Sequence, residues 1–228
     1  MWVALDFESI TADALKRILP FLSHATELGF FLDIPSFCSG IESVAGAGPA
    51  PSLTSAVLLI ADYISYGGGS VSPNESEYLA LAVQATTHGL TDRHPRTVLH
   101  TIQANVLLAY YFYMKGKSLE GQYYTSAAVS LVLGTGLHQI RSAVTGPVAG
   151  GLLPPPVDSL DEGERINAVW AVVALNSFWS TAGHCSSNID YDHPTSRIDA
   201  PWPLETSGYT SLSGSITGTV ASQFAEQS

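Results

Sequence analysis

Residues 96–115 read RTVLHTIQANVLLAYYFYMK, and this stretch decides the fold. Leu99, Ile102, Val106, Ala109 and Tyr113 recur at intervals of three and four, the spacing of one face of a helix. Tyr110, Tyr111, Phe112 and Tyr113 then carry apolar surface around the whole axis. A helix that is apolar on every side has to be covered on every side. Such a helix, from about Arg96 to Lys115, belongs among other helices or along the wall of a cavity. Gly116 and Lys117 make a tight turn into a further helix over 119–133, closed by Gly134 and Gly136, and the two read as an antiparallel hairpin.

Outward from that hairpin the apolar period stays helical, and no run alternates as a strand would. A first helix is predicted from about Thr11, with Leu15, Ile18, Leu19, Leu22 and Ala25 on one stripe and Pro20 as a kink or break. Residues 32–37 read as an extended exit, and the Gly/Ala/Pro-rich 40–51 as a loop. A second helix spans about 52–66 and stops at Gly67. A third begins with Ser72 as cap, Pro73 in the first helical position and Glu75 completing a capping box. After a Gly/Pro-rich loop over 142–157, Asp161 is predicted to cap a last helix, with Glu164 as its capping partner and Ile166, Val169, Trp170 and Val173 inward. The expectation is an all-α, multi-helix bundle of antiparallel helices with long Gly/Pro-rich loops. One helical domain would cover 1–207, and a Ser/Thr/Gly-rich tail 208–228 would be loose.

Composition narrows the function. Of 228 residues, 46% are hydrophobic and 13% charged, enough apolar material for a core without disulfides or metal. Nine Lys and Arg stand against 20 Asp and Glu, a net charge of −11, and no more than two cations fall close together. A basic stripe for phosphates is therefore missing, which argues against direct nucleic-acid contact and against an anionic membrane surface. The two cysteines, Cys38 and Cys185, are too few for a disulfide framework or a cysteine zinc site and read as ordinary buried thiols. With Asp6 and Glu8 where a signal peptide needs an apolar run, the chain is expected inside the cell, and the Asn74-Glu75-Ser76 sequon to be chance.

Catalytic patterns in the sequence are weak. No two of the seven histidines sit at i, i+4 on a predicted helix, and His94 and His100 read as exposed or loop residues. Cys185, His184 or His193, and Asp190 could be assembled on paper into a nucleophilic triad, but neighbours in sequence do not make its geometry. Asp158, Asp161 and Glu162 superficially match an acidic Mg²⁺–diphosphate site of an all-helical prenyl-transfer enzyme. At a helix start, however, such acids are expected for capping and for the helix dipole. The rings of Tyr110, Tyr113, Tyr124, Trp170 and Phe178 are the candidates for an effector pocket, with core packing as the plainer reading.

Several stretches together resemble the fungal-specific transcription factor domain, the middle homology region of fungal zinc-cluster transcription factors. Residues 102–111 (IQANVLLAYY), followed by Gly116, are similar to one of its helices, and 127–138 (AAVSLVLGTGLH) to a helix ending in Leu137 and His138. Residues 162–175 (EGERINAVWAVVAL) resemble a third helix, 198–203 (IDAPWP) its closing segment, and 28–37 (LGFFLDIPSF) its opening. The resemblance spans about 14–203 and implies that Leu137, His138, Glu164, Arg165, Trp170 and Asn176 are structural motif positions. Arg165 stands alone where the family has an arginine pair, Asn176 replaces its aspartate, and Gly183-His184-Cys185 replaces Gly-Arg-Pro. Neutral hydrogen bonds are therefore expected where the family has buried ion pairs.

What the resemblance implies is a nuclear regulatory domain that modulates RNA polymerase II transcription without catalysis. Its partners would be co-regulator proteins or a small-molecule effector. DNA contact and zinc would come from an N-terminal six-cysteine cluster that this sequence lacks, and any homodimer would belong to the full-length factor. The rivals are a helical protein-interaction scaffold, for which no second copy of the 98–133 hairpin is visible, and the Mg²⁺-dependent all-α enzyme.

Overall fold

A computed structural model describes residues 7–42, 48–67, 72–91, 96–142, 153–184, 186–193, 195–205 and 208–209, with the side chains of 7–14 and 91 left aside. Among them are seven α-helices, two 3₁₀ turns and no strand, so the all-α class holds. No helix of the described residues is long and apolar enough to cross a membrane. The chain divides into two units, Met1–Lys117 and Ser118–Ser228.

The first unit holds α1 (Phe7–Leu22), α2 (Ile34–Glu42), α3 (Pro51–Ser65), α4 (Glu75–His88), a 3₁₀ turn at Gly89–Thr91, and α5 (Thr97–Met114). α3 is its hub and packs against α1, α4 and α5. Leu53, Val57 and Ile60 are fully buried from α3, as are Ile102, Ala104, Val106, Leu107, Leu108 and Ala109 from α5. The helix that is apolar all round is thus buried nearly all round. Each such aliphatic side chain contributes on the order of 1.5–3 kcal/mol by leaving water.

The second unit has fewer helices and more irregular chain. α6 (Ser118–Gly134) packs against α7 (Ser159–Ala182), and a 3₁₀ turn at Leu137–Gln139 touches both. Gly116 and Gly136 carry positive φ, +71° and +76°, at the turns where a left-handed residue was needed. Residues 186–193 and 195–205 are irregular, yet Ile189, Asp199 and Ala200 are buried.

Local readings fail at four places. Residues 34–37 are helical, not extended: Asp33 ends its own extended segment by capping α2, its Oδ2 accepting from Ser36 N–H (2.9 Å) and Ser36 Oγ (2.6 Å). Pro35 falls in the first turn, where no N–H is missed. Along α1 the inward stripe is Ile18 and Phe21, while Leu19 is exposed; Pro20 sits in the last turn and the helix ends two residues later. α4 begins at Glu75, after Pro73, and Ser72 Oγ accepts the Asn74 N–H at 3.1 Å. The cap of α7 is Asp158, not Asp161: its carboxylate accepts the Asp161 N–H at 2.7 Å, and Asp161 reaches back to the Val157 N–H at 3.1 Å. The capping pair lies three residues earlier than expected, and it frees Glu164 to be buried. Val172, rather than Val173, completes the inward face.

Candidate functional site

In the first unit the resembling segments meet through buried polar side chains. Gln103, fully buried on α5, accepts the Phe31 N–H at 2.8 Å and donates to the Gly29 carbonyl at 3.2 Å. Gly29 has φ +66°, and Tyr110 and Val106 lie within van der Waals reach of where its Cβ would be. The opening segment is in this way clamped onto α5. His100, expected to be exposed or in a loop, is buried and its Nδ1 accepts the Ala50 N–H at 3.0 Å; His94 lies outside the described residues. The unpaired N–H before α3 explains the difference, because a buried backbone donor needs an acceptor.

Glu75 is buried at the start of α4, where it accepts from Tyr111 Oη (2.5 Å) and pairs with Lys115 Nζ (2.7 Å). Burial alone would raise its pKa. The Lys115 ammonium, the Tyr111 hydroxyl and a Ser72 backbone hydrogen bond outweigh this and hold it below the usual carboxylate range. Burial, and then the Glu75 carboxylate, push the Tyr111 phenol well above its ordinary value, so it stays neutral and donates.

In the second unit the motif positions again tie chain to chain. Leu137 and His138 are buried, and His138 Nε2 bonds the Thr195 carbonyl at 2.9 Å, which puts a proton on that nitrogen. The His138 carbonyl accepts the Asp199 N–H at 2.8 Å, and the Asp199 carboxylate accepts from Ser142 Oγ at 2.5 Å. Asn176, fully buried, accepts from the Asn188 backbone and side-chain amides (3.1 and 3.0 Å) and donates to Ser187 Oγ at 2.8 Å. Every one of those partners is neutral. Arg165 keeps an ion pair with Asp161 (2.8 Å) and donates to the Pro154 carbonyl (2.7 Å). Glu164 is buried beside it.

The aromatic candidates divide between the units, Tyr110 and Tyr113 on α5, and Tyr124, Trp170 and Phe178 in the second. Trp170 donates to the Pro201 carbonyl at 2.6 Å and stacks on Trp202 with centroids 4.7 Å apart. Tyr124 is nearly buried against the edge of Tyr123, whereas Phe178 is 63% exposed. Those contacts are packing in the first two cases and surface in the third.

The acids of the Mg²⁺ reading have local employment: Asp158 caps, Asp161 holds Arg165, and Glu162 takes Arg141 in a two-pronged ion pair. Of the paper triad, Cys185 lies outside the described residues. Asp190 Oδ1 accepts the Asp192 N–H, and His193 Nδ1 pairs with Thr195 Oγ1, so both serve their own loop. Cys38 is half-buried, and burial, with Glu42 second, raises its thiol pKa.

The first unit also holds a cleft with no counterpart in any sequence motif. It is open, about 280 Å³ in volume, and lies between α1, α3 and the start of α4, lined among others by Lys16, Arg17, Asp62, Tyr66, Asn74 and Tyr78. Asp62 Oδ2 is itself buried, without a hydrogen-bond partner. These residues sit on the polar sides of three helices, and no spacing signal in the sequence links them. No family model, curated protein or solved structure matches this chain.

Proposed function

We propose that the chain is the regulatory part of a fungal transcription factor, which modulates RNA polymerase II transcription in the nucleus through an effector or a protein partner. On this reading it carries out no catalysis, and DNA contact and zinc are supplied by a zinc cluster outside this sequence. One observation supports it above the others. Segments that resemble the family domain supply buried polar residues that tie chain to chain within each unit. Gln103 joins the opening segment to α5, and His138 joins the 137–139 turn to the 195–199 chain. A motif in which His138, Arg165 and Asn176 serve as internal ties describes a scaffold, and it leaves the surface and any cleft to carry the signal.

The test fuses the 228-residue chain to a heterologous DNA-binding domain and reads a reporter gene in fungal cells. Reporter output that differs from that of the DNA-binding domain alone, and reverts when Gln103→Ala unfolds the first unit, is the expected result. Output equal to the control across growth conditions overturns the proposal.

A further inference from the structure

We infer that the cleft between α1, α3 and α4 binds a small zwitterion, a molecule carrying a protonated amine and a carboxylate a few bonds apart. Its size sets the first limit, since about 280 Å³ lies at the lower end of small-molecule sites and suits a metabolite of amino-acid dimensions. Charge sets the second. In a chain with nine cations and a net charge of −11, two adjacent cations, Lys16 and Arg17, stand on the α1 wall of this one cleft. Asp62 stands on the α3 wall, so both signs of charge line one small space.

The third limit is the Asp62 carboxylate: the residue lines the cleft, and its Oδ2 is buried without a hydrogen-bond partner. A poorly solvated carboxylate draws a cation more strongly than one in water. An ammonium in the cleft meets that charge; a simple anion or an apolar molecule does not. Tyr66 and Tyr78 also line the cleft, and aromatic rings attract an ammonium. Asn74 makes no side-chain cap on α4 and lines the cleft instead, next to the positive end of that helix, where a carboxylate is favoured. The ligand's carboxylate therefore faces Lys16 and α4, and its amine faces Asp62.

As an effector site this deepens the regulatory reading and rests on it; as a binding site it does not. Titration calorimetry near neutral pH with γ-aminobutyrate and the proteinogenic amino acids tests the binding. At least one should bind with a Kd below about 10 mM, and its deaminated and decarboxylated analogues at least about tenfold more weakly. Asp62→Asn should weaken binding by a similar factor. Lys16→Glu, at an exposed side chain, should do the same. No binding by any member, equal binding of either analogue, or wild-type affinity in Lys16→Glu overturns the site. Binding that Lys16→Glu abolishes while the reporter stays unchanged upholds the site and overturns its regulatory role. Absent binding with a responsive reporter does the reverse.

Discussion

The two units solve the same problem with different materials. The first packs α3 against α1, α4 and α5, and its core is a continuous set of aliphatic and aromatic side chains into which Gln103, His100 and Glu75 are set as single polar ties. The second offers only α6, α7 and a 3₁₀ turn, so irregular chain must cover what helices do not. Irregular backbone cannot satisfy its own N–H and C=O groups, and side chains do it instead. That is why His138, Asn176, Arg165 and Trp170 all bond to backbone or loop groups of 154–201. Where helices are plentiful, packing specifies the fold. Where they are scarce, individual hydrogen bonds and close contacts specify it.

That contrast is broken most severely from the apolar side. Leu107→Ala should destabilise the first unit by about 3–4 kcal/mol, because a fully buried leucine is lost from a site with little freedom to collapse. Urea unfolding measures it, and a loss below about 1 kcal/mol would mean that α5 is not buried in the first unit's core.

The sharpest test in the second unit is a glycine inside a helix. Gly163→Ala would ordinarily stabilise α7 by about 1 kcal/mol through helix propensity. Here a Cβ would lie 2.3 Å from the ring of Tyr209, which is fully buried, donates to Asn167 Oδ1 (3.0 Å) and accepts the Leu204 N–H (2.8 Å). The expected result is a destabilisation of about 2 kcal/mol, with a lowered Tm and faster hydrogen exchange at Leu204. Stabilisation would show that Tyr209 is not seated on α7.

Tyr209 also marks the limit of what sequence could tell. It is the second residue of the segment expected to be a loose tail, and nothing in its Ser/Thr/Gly-rich neighbourhood announces a buried ring. The long helices were legible because their period is carried by many residues at once, as in 96–115. Ends were less so. A cap depends on one side chain, and Asp158 and Asp161 are equally good in sequence; only the fold chooses between them. The cleft was invisible, since Lys16, Asp62 and Tyr78 come together only through the packing of three separate helices.

Glu75 brings a charge into the first unit's core, and pH exposes it. Its folded pKa is held below the unfolded value, so its stabilisation is complete above about pH 4.3 and is lost as the pH falls through the lower, folded value. Wild-type stability should decline in that acid window, and Glu75→Gln should flatten part of the decline while lowering neutral-pH stability by about 1 kcal/mol. An acid titration of unfolding free energy for both proteins gives the comparison. Identical slopes would remove Glu75 from the list of groups that hold α4 to α5.

The smallest expected effect separates surface from pocket. Phe178 lies on α7 with 63% of its surface exposed, and its ring meets the edge of Trp179 at 5.0 Å. If polar ties rather than this ring hold the second unit, Phe178→Ser changes stability by less than about 0.5 kcal/mol. A ring that closed an effector pocket, or anchored the core, would behave differently, since burying it would be worth roughly 1.5–3 kcal/mol. Paired urea curves at identical protein concentration resolve the two. A loss above about 1.5 kcal/mol would mean that Phe178 is covered in solution, and the division of labour between the units would have to be redrawn around it.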